Sequence, residues 1–186
     1  MRVICGTAKG RKLVSFKGRS IRPTSDKVRE AIFDILQGYV PFDRALDIFA
    51  GTGAMGIEAM SRGVKEAVFI DADRRAASLI KENLERTGFS KMARVLSMDA
   101  IDGIKFLTAR QDKFDLVFID PPYDESLNNR VLTAIEEKGL LAPGGVIVSE
   151  SSAKLGERIT PARLECFRER VYGATMVSFY TAPEGG

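Results

Sequence analysis

The tetrapeptide Asp120-Pro121-Pro122-Tyr123 is the part of the sequence whose composition speaks most directly of chemistry. Asp120 offers a carboxylate, and Pro121 offers a carbonyl whose direction is held because successive prolines fix φ. Side by side, the two can accept both N–H bonds of one amino group. An amino group on an aromatic base is a poor nucleophile, because its lone pair is delocalised into the ring. Two fixed acceptors favour a pyramidal nitrogen and aim the lone pair at an electrophilic carbon, a gain that comes from preorganisation. Tyr123 adds a ring face on which a base drawn out of its helical stack could lie. The competing account is a strand-ending turn with Tyr123 packed against the body.

A second constellation lies upstream. Gly51, Gly53 and Gly56 in Asp47-Ile48-Phe49-Ala50-Gly51-Thr52-Gly53-Ala54-Met55-Gly56 form a turn that lets backbone N–H groups approach a ligand at a helix N-terminus. The spacing also satisfies the dinucleotide fingerprint, with Asp71 where a ribose-binding acid belongs. Asp47 separates the two readings. An acid inside an apolar strand repels a pyrophosphate but attracts the amino group and sulfonium of S-adenosylmethionine. Asp47 could also simply bond a backbone amide. Asp71 is then expected on the ribose hydroxyls, and Asp99, with Ala100 beside it, on the adenine amino group. Asp99 could equally cap the following helix, and both roles can hold. Phe49 completes the cofactor-loop set.

These residues need a scaffold that brings them to one edge. From residue 44 the pattern alternates: strand 45–49, helix 54–61, strand 67–70, helix 74–87, strand 93–96, helix 101–109, strand 114–119, helix 127–137, strand 145–149. Such alternation predicts a parallel, doubly wound α/β sheet, with ligands at the carboxyl ends of the strands. Strands at 164–171 and 174–181 with no helix between them predict an antiparallel hairpin closing the sheet. This layout resembles the Rossmann-like class I methyltransferase fold, which implies a seven-stranded, mostly parallel sheet. Ahead of it, strands near 2–5 and 11–16 and a helix over 25–37 predict a short hairpin-and-helix extension. The chain thus divides into an extension, 1–40, and a methyltransferase domain, 41–186.

Charge is uneven along the 186 residues. Of 28 Lys/Arg and 25 Asp/Glu, nine bases and three acids fall in residues 1–40, leaving nineteen against twenty-two for the rest. A basic arm on a slightly acidic body suits a polyanion docked at one end, because phosphate contacts dominate nucleic-acid affinity. The bland alternative is a solvated terminus. With no histidine in the chain, Ser-His-Asp catalysis and histidine metal sites are excluded. Cys5 and Cys166 form no ligand cluster, and no metal is expected. No apolar run approaches the roughly 20 residues of a membrane span, and the first residues lack a secretory signal, so a cytoplasmic location is expected.

Several segments resemble those of the RsmD family, the bacterial 16S ribosomal RNA guanine-N2 methyltransferases. They are Gly10-Arg11-Lys12-Leu13, then Arg22-Pro23-Thr24-Ser25-Asp26-Lys27-Val28-Arg29-Glu30, then the glycine loop with Glu58-Ala59-Met60-Ser61-Arg62-Gly63, and Asp120–Tyr123. The resemblance covers essentially the whole chain, and the Arg-Pro-Thr-x-Asp-x-x-Arg-Glu segment is its specific part. It implies methylation of one guanine of 16S rRNA, within a 30S subunit or an assembly intermediate. It also implies that Arg22, Thr24 and Arg29 close over cofactor or substrate, with Asp120–Tyr123 catalytic. Arg11, Lys12, Lys17 and Arg29 are the expected RNA contacts, although Arg22 and Arg29 could instead pair with Asp26, Glu30 or acids of the body. Two positions depart from the family pattern: Asp71 stands where Glu is frequent, and Tyr123 where Phe occurs. A DNA adenine-N6 or cytosine-N4 methyltransferase uses the same tetrapeptide, but usually with a target-recognition domain for which 186 residues leave no room. A dinucleotide-dependent oxidoreductase would explain the glycines but neither Asp47 nor Asp120–Tyr123. A non-enzymatic RNA-binding subunit would have no use for the intact tetrapeptide.

Overall fold

The computed structural model describes residues 1–16, 26–39, 41–121, 125–153 and 162–182. Among these residues five α-helices and seven strands follow one another: α1 (Asp26–Leu36), β1 (Arg44–Ile48), α2 (Ala54–Ser61), β2 (Glu66–Asp71), α3 (Arg74–Thr87), β3 (Ala93–Ser97), α4 (Ala100–Ala109), β4 (Phe114–Ile119), α5 (Glu125–Glu137), β5 (Leu141–Ser152), β6 (Glu165–Tyr172) and β7 (Thr175–Thr181). The sheet order is β3-β2-β1-β4-β5-β7-β6. The first five strands run parallel to one another, while β7 is antiparallel to both β5 and β6. This is the class I methyltransferase architecture.

The central strands β1, β2, β4 and β5 bury both faces, so each contains an apolar run whose alternate residues enter different cores. On one side Ala45, Phe69, Leu116, Phe118, Val146 and Val148 pack with Ile32 and Phe33 of α1, Ile57 of α2 and Ile80 of α3. On the other, Leu46, Ile48, Val68, Val117 and Ile147 pack with Ile104 of α4 and Val131 and Ile135 of α5. Each such side chain contributes about 1.5–3 kcal/mol of transfer free energy. Ile32, Phe33 and Leu36 thus pack α1 against the body. Local signals set helix limits: Asp73 caps α3 through Arg75 N, and Gly88, at φ 83°, stops it.

Two expectations change. The arm makes one antiparallel bridge, Arg2 with Lys12, in place of two strands. It is held instead by contacts to α2. Gly6 lies so close that a Cβ there would stand 1.7 Å from Ser61 O. The second change is in β5, expected over 145–149, which starts four residues earlier at Leu141 and passes through Pro143-Gly144-Gly145. Gly144 takes φ 72°, and the pairing with β4 shifts between Phe114 and Leu116. Glycine's freedom at positive φ lets an irregular strand continue where most residues would end it.

Candidate active site

The strand order reverses between β1 and β4, whose helices lie on opposite faces, and this opens a crevice beyond the carboxyl ends of those strands. Ile48 of β1 and Ile119 of β4 are register partners. Phe49 and Asp120 therefore leave the sheet side by side at that crevice.

The glycine turn begins with strain. Phe49 has φ 62°, a left-handed conformation that costs a non-glycine residue roughly 1–3 kcal/mol and clusters at ligand sites. Gly51 and Gly53 follow at φ 56° and 75°, the second at the start of α2. Gly56 serves packing instead. A Cβ there would meet the Phe69 ring at 2.4 Å, so its absence lets α2 settle onto β2. That approach brings Gly56 N within 2.9 Å of Asp47 Oδ2.

Asp47 is almost completely buried. Desolvation raises its pKa to about 8, opposed by the Gly56 hydrogen bond and reinforced by the charges of Asp120, Asp71 and Glu150. Asp71 accepts from Gly51 N on one oxygen, at 2.8 Å, and from Asp73 N on the other, at 2.9 Å. Both acids predicted to meet the cofactor thus also clamp the turn by its amides, and their remaining lone pairs stay available to a ligand. Asp99 accepts from Ile101 N at 2.8 Å and caps α4, whose first residue, Ala100, is buried. The capping role expected of Asp99 is therefore realised.

Asp120 opens to solvent in the crevice, yet the surrounding protein strips enough water from it to raise its pKa to about 6. Its backbone N–H lies 3.5 Å from Ile48 O, tying the end of β4 to β1. Pro121 is half-buried next to it. Pro122 and Tyr123 lie outside the described residues, as do Lys17, Arg22 and Thr24.

The arm residues separate. Arg11 and Lys12 are exposed, and Arg11 Nη1 also donates to Arg86 O at 2.9 Å. Arg29 does not meet the expectation of a surface RNA contact, since it is only 1% exposed. Its Nη2 donates to Arg2 O and Asp26 Oδ1, and its Nε lies 3.8 Å from Glu58 Oε2. The alternative of pairing with Asp26 and a body acid is what the fold adopts, because α1 packs Arg29 inward against α2.

Other residues of the site emerge only from the fold. Glu58, fully buried in α2, accepts from the backbone N–H groups of Ile4 and Cys5 and from Arg62 Nε. Asn83 lies on the inner face of α3 beside Ile80 and Leu84. Glu150 follows Ser149, the partner of Ile119, and so sits laterally beside Asp120. The sequence carries only a faint trace of the first two, as an acid in the apolar run of α2 and an amide in the apolar stripe of α3.

Asp47, Asp71, Asp120 and Glu150 thus converge at the ends of four strands. Four acids at one crevice suit the ammonium and sulfonium of S-adenosylmethionine and oppose a pyrophosphate. Fold and site together define a class I S-adenosylmethionine-dependent methyltransferase.

Comparison with known proteins gives the family. The family described as "Conserved hypothetical protein 95" matches residues 1–181. The chain is 34% identical over 180 residues to Ribosomal RNA small subunit methyltransferase D of Escherichia coli K12, covering 97% of this chain and 89% of that one. It is 40% identical over 180 residues to YlbH of Bacillus subtilis, described as a candidate rRNA methyltransferase, covering 97% and 98%. Among solved structures, the Escherichia coli protein yhhF, described as a candidate methyltransferase, superposes with a TM-score of 0.86 at 34% identity, covering 100% of this chain and 99% of that one. The chain belongs to this family, that of Ribosomal RNA small subunit methyltransferase D.

Proposed function

We propose that the protein transfers a methyl group from S-adenosylmethionine to the exocyclic N2 amine of a guanine in 16S rRNA. It acts in the cytoplasm on a 30S subunit or an assembly intermediate. The observation that carries this reading is the placement of Asp120 beside the clamped glycine turn at the crevice where the strand order reverses. The names of the relatives support the choice of small-subunit rRNA, and the family resemblance supports guanine N2.

S-adenosylmethionine supplies an electrophilic methyl carbon bonded to sulfur. Asp47 offers its carboxylate to the cofactor's ammonium, Asp71 accepts from the ribose hydroxyls, and Asp99 accepts from the adenine amine through the oxygen not used for capping. Asp120 and the Pro121 carbonyl accept the two amine hydrogens, so the nitrogen lone pair points along the axis of the breaking C–S bond. The N–C bond forms as the C–S electron pair returns to sulfur. The amine then sheds one proton, which Asp120, ionised above about pH 6, can receive and pass to solvent. Arg22, Thr24 and the ring of Tyr123 complete the cover and the stacking surface. Arg11, Lys12 and Lys17 hold phosphates.

The test is methylation of 30S particles purified from a strain lacking the enzyme, with labelled cofactor and the modified nucleotide mapped. One guanine carrying the label at N2 is expected. Label on adenine or cytosine, or on naked DNA in preference to 30S particles, would refute the assignment.

A further inference from the structure

We propose that Asn83 is a positioning residue that makes RNA on the arm and cofactor in the glycine turn tighten each other's binding; this rests on the reading of the arm as an RNA-docking element. Asn83 is completely buried on the inner face of α3. Its Oδ1 accepts from Val14 N at 2.7 Å, and its Nδ2 donates to Val14 O at 3.0 Å and to Thr52 O at 2.9 Å. One amide therefore reads both the N–H and the C=O of a single arm residue, as a strand partner would. Its remaining donor reaches Thr52, the middle residue of Gly51-Thr52-Gly53. Nothing else in an amide side chain is left over, apart from a lone pair on the oxygen.

Among the described residues, the arm and the turn also meet through a polar contact from Thr52 Oγ1 to Met1 Sδ at 3.6 Å. Both links thus converge on Thr52. On the other side of Val14 stand Arg11 and Lys12, three and two residues earlier and both exposed. A phosphate held there acts on the same short segment that Asn83 grips. A displacement of about 1 Å takes a hydrogen bond of this length out of range. The segment cannot shift by that much without loosening the amide that orients the Thr52 carbonyl. Conversely, cofactor seated in the turn fixes Thr52 and, through Asn83, the arm. By thermodynamic linkage, the factor by which each ligand strengthens the other must be the same.

The probes are S-adenosylhomocysteine and 30S subunits from a strain lacking the enzyme, with each dissociation constant measured in the presence and absence of the other ligand at fixed salt. In the wild type each ligand is expected to tighten the other by an equal factor, roughly 5- to 20-fold. Asn83→Asp keeps the acceptor for Val14 N–H but removes both donors. Val14→Pro removes the arm's N–H while leaving Asn83 and the turn as they are. Both variants should bring the coupling below about 2-fold. Val14→Pro leaves the buried Asn83 Oδ1 without its donor and so lowers the melting temperature, but each ligand alone should still bind within a few-fold of wild type. Loss of the coupling while both separate affinities persist is what a merely structural role of this contact would not predict. Wild-type coupling retained in both variants overturns the proposal, as does an uncoupled wild type that still binds both ligands. A wild type that binds S-adenosylhomocysteine but not 30S subunits refutes the RNA reading itself.

Discussion

The substitution Asp47→Asn separates the two consequences of placing a carboxylate on the buried end of β1. Asparagine has the same shape, and its Oδ1 can still accept from Gly56 N, which lies 2.9 Å from the aspartate. Only the charge is lost. Burial raises the Asp47 pKa from 3.8 to about 8, so the folded protein resists the ionisation that the unfolded chain permits. In the wild type without cofactor, stability from this group is fully present below about pH 4. It is lost progressively as pH rises towards 8 and is level above that. Each pK unit corresponds to about 1.4 kcal/mol, giving a ceiling of roughly 5–6 kcal/mol. Relaxation and water entry reduce the observable share, and a gain of about 1–3 kcal/mol for the variant at pH 9 is expected, or roughly 3–10 °C in Tm. The gain should vanish near pH 4. Cofactor affinity should move the other way. Loss of a hydrogen bond to a charged group is worth about 1.5–3 kcal/mol, or roughly 10- to 150-fold in Kd at pH 9. Paired thermal melts from pH 4 to 9, with calorimetric titration of S-adenosylhomocysteine at pH 9, test both effects. A stability difference that does not change with pH would refute the electrostatic account. Unchanged affinity would refute the contact with the cofactor's ammonium.

Asp120→Ala should abolish methyl transfer while leaving cofactor affinity within a few-fold; near-normal turnover would remove Asp120 from catalysis. Because only the ionised Asp120 can receive the amine's proton, wild-type kcat should fall as pH drops through about 6, and single-turnover rates across that range would detect it. Gly56→Ala puts a methyl group 2.4 Å from the Phe69 ring, and overpacking of this kind costs about 1–3 kcal/mol, measurable by chemical denaturation. The same change should weaken cofactor binding, because α2 must lift and carry Gly56 N away from Asp47. Neutralising Arg11, Lys12 and Lys17 together should weaken RNA binding and flatten its dependence on salt, by up to about one unit of slope for each phosphate no longer neutralised; an unchanged slope would count against the arm.

Elements with a local cause are legible in the sequence. The range of α2 and that of α3, with its Asp73 cap and Gly88 stop, follow from periodicity and capping chemistry. The Asp120 tetrapeptide and the glycine turn stand out because their chemistry lies in consecutive residues. Features decided by distant partners are not legible. Arg29 lies in a basic stretch, and only the packing of α1 against α2 turns it towards Glu58. The amide bonds of Asp71 depend on how closely β2 ends beside the turn. Pro143-Gly144-Gly145 has turn composition, but the pairs that β4 makes on either side of it, with Leu141 and Val146, carry it inside a strand as an irregularity. Asn83 gives no local sign that its partners lie 69 and 31 residues away.

The place of β7 in the sheet also bears on how the chain is made. It lies between β5 and β6 and is the neighbour that β6 pairs with along its length. During vectorial synthesis, β6 therefore emerges before there is anything for it to join, and β5 presents an open apolar edge until residues 175–181 have left the exit tunnel. The edge that a nascent chain most needs to protect is the last to be covered. Truncation within β7 should thus be felt as aggregation of newly made protein rather than as the loss of one peripheral strand, even though the crevice residues all lie earlier in the chain.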